Sequence, residues 1–256
     1  MCRISVPISH LFKNPEIAKS IIKESECLEA REHSIGIYSK LTEAFHFDIQ
    51  PIHTLDESIF NYLVSIKQRE KQLKLISFHM ASSCDKPTID NGVFLPGGKR
   101  YSENELLDNA NQNLKRIRDI FGKDISIAVE NNNYYQTDAY QYVTDAAFIK
   151  RIVNDNDIYI LFDMAHAKVT ACNKGIEYSV YRDHLPLGKM VQLHVSGFTI
   201  NKNGKAFDSH NYPDESDLLE VRYLLDTYKI QYITPEYYKD VKGLLNLISQ
   251  IKDIVN

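Results

Sequence analysis

Short continuous apolar runs alternate along this chain with longer stretches of helical period. Ile158–Phe162 (IYILF) is the clearest run. It is apolar and β-branched, bounded by the polar NDND, and too short for a helix of ordinary length, so it predicts a buried parallel strand. Runs at Cys2–Ile8, Glu26–Arg31, Phe45–Gln50, Leu75–Met80, Ile125–Val129 leading into Glu130, Met190–Val195 and Gln231–Pro235 bring the predicted strands to eight. Between them Pro15–Ser25, Leu55–Arg69, Ser102–Phe121, Ala139–Val153, Ile176–His184, Asp217–Tyr228 and Val241–Val255 read as helices. Two of these open on capping boxes, Thr54 with Glu57 and Ser102 with Glu105. Strands alternating with helices, without a linker or low-complexity break, predict an α/β protein with a single domain over residues 1–256, a (β/α)8 TIM barrel. A doubly wound open sheet is the alternative. It is disfavoured because no GxGxxG follows the first strand, and the later PGGK lacks the spacing of a P-loop.

Composition narrows the class. At 256 residues and 43% hydrophobic, the chain can bury one large core. Its net charge of −4 offers no general attraction to phosphate backbones or anionic membranes. Apolar runs all fall short of the roughly 20 residues of a membrane span. MCRISVPISHLFKNP places a proline and a histidine where a signal peptide needs an unbroken apolar core. Cys2, Cys27, Cys84 and Cys172 lack CxxC spacing, so neither a disulfide framework nor a thiolate zinc site is expected. The expected setting is the reducing cytoplasm.

The predicted strand ends carry the chemistry. His46, His79, Glu130, Asp163, His194 and Glu236 end or nearly end six different strands; His166 follows Asp163 by three residues, and Asp208 and His210 form a DxH pair in what reads as a loop after the seventh strand. In a barrel of this type all strand C-termini open on one face, where active sites lie. Charged side chains are seldom buried unless paired or bound to metal, so the nine residues predict a site for two or three ions. Nitrogen and oxygen donors without thiolate suit iron, zinc or manganese. Asn131 reads equally as an outer ligand, an orienter of Glu130 and a turn residue in the NNN run. His10, His33, His53 and His184 fall outside this pattern and read as surface or structural. The long Ala81–Tyr101 stretch is expected to cover the metal face, with Gly97-Gly98 as a hinge and Cys84 as a small buried residue.

At these residues the chain resembles the xylose-isomerase-like metal-dependent TIM barrels, in two branches. The order of the nine donors is similar to the trinuclear zinc set of the endonuclease IV family. That likeness implies that Glu130 bridges two metals, His46 and His79 completing the first ion, Asp163, His194 and Glu236 the second, with a third on His166, Asp208 and His210. The running sequence resembles the multinuclear non-haem iron-dependent oxidases from about Glu26 to Tyr238: ECLEAREH, VENNNYY, DMAHAKVTACNKG, HVSGF, FDSH and PEYY all have counterparts there. Three positions depart from the oxidase pattern. Lys174 stands for the histidine of Asn-His-Gly, Phe198 for the second histidine of HLAGH, and Tyr238 for the acid of Glu-Trp-Asp; His166 follows the endonuclease branch. The oxidase resemblance implies iron, O2 as oxidant and a peptide side chain such as cysteine as substrate, within ribosomal peptide biosynthesis and with a partner protein presenting the peptide. The alternatives are an endonuclease-type phosphodiesterase and a sugar isomerase or epimerase. Nucleic acid is disfavoured, since the chain is acidic and lacks an Asn-Asp-Ser-Lys run after His194. An isomerase needs only Glu130, Asp163, His194 and Glu236. No residue is singled out as catalytic.

Overall fold

All eight predicted strands form. The structure, a computed structural model, describes residues 2–255. In chain order the elements are β1 (Arg3–Pro7), α1 (Pro15–Glu24), β2 (Cys27–Ala30), β3 (Thr42–Phe47), α2 (Glu57–Arg69) and β4 (Leu75–His79). They continue with β5 (Thr88–Asp90), β6 (Val93–Leu95), α3 (Glu103–Phe121), β7 (Ser126–Glu130), α4 (Ala146–Asp155), β8 (Tyr159–Asp163), α5 (Met164–Lys174) and α6 (Tyr178–His184). The last are β9 (Met190–Val195), β10 (Gly197–Ile200), β11 (Ala206–Asn211), α7 (Glu215–Thr227), β12 (Tyr232–Pro235) and α8 (Val241–Val255). Parallel pairing closes a barrel in the order β1-β12-β9-β8-β7-β4-β3-β2, and β5-β6 and β10-β11 are separate two-stranded hairpins. The predicted (β/α)8 TIM barrel is the fold. None of the described helices is long and apolar enough to cross a membrane.

Strand periodicity divides the barrel into an apolar floor and a polar mouth. Cys27, Ala44, Leu75, Ala128, Leu161, Val191 and Tyr232 pack together inside the barrel. Side chains two residues apart share a face of a strand, so above Cys27 comes Glu29, above Ala44 His46, above Ala128 Glu130 and above Leu161 Asp163. On β4 the series runs Leu75, Ser77, His79. The alternate residues, among them Phe45, Phe78, Val129 and Phe162, face outward and join helix residues such as Ile21, Leu63 and Ile149 in the main core. That layer is what fixes the strands, and with them the mouth.

Four local expectations change. The cap of α2 is Asp56, whose Oδ1 accepts the Ser58 and Ile59 amides at 2.9 and 3.2 Å; Thr54 is engaged instead by the Tyr101 hydroxyl at 3.2 Å. The predicted Ala139–Val153 helix begins only at Ala146, because Tyr142 adopts a left-handed φ of 69° that no helix accommodates. A helix absent from the predicted set, α5, begins directly after Asp163, whose Oδ1 accepts the His166 amide at 2.7 Å. Asp208 and His210 lie on β11, paired antiparallel with β10.

Candidate metal centre

Glu130, at the end of β7, stands between two groups of histidines. Its Oε2 lies 3.2 Å from His79 Nε2 and 3.5 Å from His46 Nε2. Its Oε1 lies 3.4 Å from His194 Nδ1 and 3.8 Å from His166 Nδ1. The Nε2 atoms of His46 and His79 approach to 2.6 Å, and Ser77 Oγ meets the other His46 nitrogen at 2.8 Å. Three donors on adjacent strands β3, β4 and β7 thus converge on one point.

His194 is the pivot of a second group. Its Nδ1 faces Glu130 and Glu236 Oε1 at 3.4 Å each, and Asp163 Oδ2 at 3.8 Å. Its other nitrogen, Nε2, is 3.3 Å from Glu29 Oε2. Nearer the opening, Asp208 Oδ2 lies 3.5 Å from His166 Nε2 and 3.4 Å from His210 Nδ1, while His210 Nε2 is 3.5 Å from Glu236. The structure therefore brings all nine sequence-predicted residues together at one mouth.

The electrostatics are those of a cation site. Five carboxylates, Glu29, Glu130, Asp163, Asp208 and Glu236, stand among the histidines of the mouth, and its one guanidinium, Arg31, pairs with Glu29 and Glu236. Burial, reinforced by Glu130 and Glu236, pushes Asp163 up to about 7. Burial opposes protonation of His166 and His194, yet the surrounding carboxylates win and raise both. At His79, burial and the neighbouring His46 push the ring down to about 3. A field that draws protons onto histidines draws metal ions to the same lone pairs. Two buried atoms aimed into the second group, Asp163 Oδ2 and His194 Nδ1, have no hydrogen-bond partner. Leaving such atoms unpaired costs of the order of 1–3 kcal/mol each, more for a charged group, and a coordinated ion removes that cost. The residues present fit a multinuclear metal centre with nitrogen and oxygen donors.

Residues 45–238, which include all nine donors, match the family described as RiPP precursor modification enzyme MbnB/TglH/ChrH. The chain belongs to that family. It is the oxidase family that the motifs between Glu26 and Tyr238 resemble. Curated relatives carry less information: the UPF0276 protein of Acaryochloris marina is 21% identical over 153 residues, covering 60% of this chain and 54% of its own length. A UPF0276 protein of Vibrio vulnificus (strain YJ016) is 25% identical over 166 residues, 62% of this chain and 55% of that one. The chain spans about half the length of the curated relatives it matches. Among solved structures, the 3-keto-D-glucoside 4-epimerase YcjR from E. coli superposes with a TM-score of 0.62 at 12% identity over 99% of both chains. A putative xylose isomerase from Rhodospirillum rubrum gives 0.61 at 10% identity, over 99% of this chain and 98% of that one. SacUVDE gives 0.55 at 12% identity over 99% of both. At these identities the likeness is one of fold.

The three residues read from the sequence as departures from the oxidase pattern each have a structural setting. Lys174 leaves the mouth and binds Asp145 Oδ1 at 2.6 Å. Phe198 lies on β10 and packs against the cluster of Tyr135, Tyr140 and Ala206. Tyr238 donates to Glu236 Oε1 at 2.9 Å and lies against the His210 ring.

Sequence reasoning missed Glu29 and Arg31. Glu29 is fully buried and accepts from Gln192 Nε2 at 2.6 Å; the nearby His194 ring outweighs the effect of burial and holds its carboxyl down at about 2. Arg31 Nη2 donates to Glu236 and to Glu29, the latter at 3.3 Å. The strand-end rule applied to the second strand points to this region without separating Glu29 from Glu26. Asn131 proves to be an orienter, of Asp163: side chain and backbone exchange two hydrogen bonds of 2.9 Å. The histidines outside the pattern stay outside it. His53 is buried against Ser82 O at 2.8 Å, His33 meets Ile8 O at 3.1 Å, His184 meets Val180 O at 2.6 Å, and His10 is exposed.

Above the donors lies a cavity of about 220 Å³, walled in part by Ala81, Gly92, Phe94, Tyr135 and Tyr140. Gly92 and Phe94 come from the β5-β6 hairpin, so the Ala81–Tyr101 segment does cover this face. Its Gly97 is no hinge. A β-carbon there would overlap the Lys86 carbonyl oxygen, so glycine permits a close approach that holds the base of the hairpin shut. Cys84 is buried and takes no part in the donor cluster.

Proposed function

We propose that this chain is a metal-dependent oxidase that modifies a peptide side chain, cysteine foremost, using O2. Two or three ions, iron rather than zinc or manganese, would occupy the Glu130 chamber. The observation that carries the reading is the division of Glu130 between two donor groups, Oε2 toward His46 and His79, Oε1 toward His194. Asp163 and Glu236 complete the His194 group, and His166, Asp208 and His210 form a third at the opening. Bound iron supplies the one-electron chemistry that lets O2 oxidise a side chain, which nitrogen and oxygen donors with open positions allow.

The chain's own residues do the remaining work. Glu29 keeps the proton on His194 Nε2, leaving Nδ1 free to ligate. Asn131 fixes the backbone of Asp163, and Tyr238 and Arg31 hold Glu236 by one oxygen. Phe94 and Tyr140, stacked with centroids 5.8 Å apart, shield the chamber from bulk water. Family membership supports a peptide precursor as substrate, and the proposal includes a partner protein that presents it. The free cysteines suit the cytoplasm.

Protein purified without oxygen is expected to carry iron and to change its visible absorbance on exposure to air. Zinc alone, indifference to air and cleavage of abasic-site DNA would replace this reading with the phosphodiesterase one.

A further inference from the structure

One sector of the mouth is built differently from the rest. The segments after β1 and β2 carry His10, Lys13, Arg31 and His33, and apart from the buried Glu29 this sector contributes no donor to the metal cluster. A cavity of about 250 Å³ lies between the two segments, lined by Ile8, His10, Arg31 and His33 among others. A second, of about 370 Å³, adjoins it over Phe12, Lys13 and Ile37 and shares Ile8, Ser9, His10 and His33 with it. Arg31 walls both the inner of these cavities and the metal chamber. Arg31 is thus the wall common to the metal chamber and the inner cavity, and four residues are common to the inner and outer cavities.

Arg31 stands at the junction. Nη2 is occupied by Glu29 and Glu236, Nε has no partner among the described residues, and 23% of the side chain remains exposed. A guanidinium anchored by one nitrogen keeps further donors for a carboxylate. Beyond it the floor is apolar: Ile8 and Phe12 are buried, and Ile37 beside them is 46% exposed. The rim is basic. Glu32, the acid between Arg31 and His33, is turned away to accept the Asp48 amide at 2.9 Å.

We propose that this groove binds the flanking segment of the peptide substrate, extended, with an Asp or Glu side chain opposite Arg31 and an apolar side chain farther out over Phe12 and Ile37. The inference rests on the peptide-modifying reading above. Charge complementarity and continuity with the metal chamber select the occupant. The acid is a side chain rather than a chain terminus, because cavity continues on both sides of Arg31 and the peptide has to pass it.

The test uses a fully randomised octapeptide pool, acetylated and amidated, passed without oxygen over the immobilised, metal-loaded protein. Sequencing of the retained peptides should show an acidic residue followed by Leu, Ile, Val or Phe, enriched about tenfold over the pool, the equivalent of about 1.4 kcal/mol. Ile37→Asp should abolish the apolar preference, and the double variant His10→Glu/Lys13→Glu the acidic one, each with metal content unchanged. All three side chains are exposed, so the replacements leave the core intact. Recovery of no motif, or of a motif that survives both variants, overturns the groove. Metal content and the response to air are read on the same preparations. Protein that reacts with air but selects no such motif loses the groove and keeps the oxidase reading; protein that selects the motif without iron keeps the groove and loses the oxidase.

Discussion

Glu29 illustrates what one side chain contributes behind a ligand. It sits between Gln192 Nε2 at 2.6 Å and His194 Nε2 at 3.3 Å, with no path to solvent. Removing its charge releases the His194 tautomer while leaving volume and packing nearly unchanged. Glu29→Gln should therefore weaken metal binding about 10- to 100-fold, the range typical of such supporting carboxylates. Competition with a chromophoric chelator measures it; unchanged affinity would mean that another group sets the tautomer. Glu29 was hard to read in the sequence for a simple reason. ECLEAR offers Glu26 and Glu29 in a run with no clean alternation, and only the pairing of Ser5 with Cys27 and Pro7 with Glu29 fixes which acid faces inward. The nine sequence-predicted residues were legible for other reasons: six end or nearly end predicted strands, His166 follows Asp163 by three residues, and Asp208 and His210 form a DxH pair.

At the level of elements, the barrel strands and most of the helices were read well, while α5 and the pieces stabilised by distant contacts were not. The β10-β11 hairpin, which carries Asp208 and His210, has too little apolar alternation to stand out. The first residue of β11 is pinned by Asn173 of α5, whose side chain exchanges hydrogen bonds of 2.9 and 3.0 Å with the Ala206 backbone. The Gly97 contact is of the same kind, since nothing local reveals that Lys86 lies against it. Gly97→Ala should pry the base of the β5-β6 hairpin open and speed cleavage of the Ala81–Tyr101 segment in limited proteolysis, with the barrel intact. Cleavage at the wild-type rate would show that Lys86 yields instead.

For the whole molecule, the alternation of strands and helices specified the barrel, and the barrel explains why residues from 46 to 236 meet. The division of these residues into groups was less accessible, because it depends on which oxygen or nitrogen of each faces which neighbour. Glu130 is where this matters most. Two cations a few ångströms apart repel strongly unless an anion lies between them, and the two oxygens of Glu130 are turned to different donor groups. His210 stands at the opening, its side chain 36% exposed, and belongs to the outer group alone apart from its approach to Glu236. The decisive measurement is metal stoichiometry by elemental analysis of oxygen-free wild type, Glu130→Gln and His210→Ala, each checked for native circular dichroism. Glu130→Gln is expected to lose more than one ion and His210→Ala about one; equal losses, or a folded Glu130→Gln that keeps its full metal content, would contradict a centre organised around Glu130.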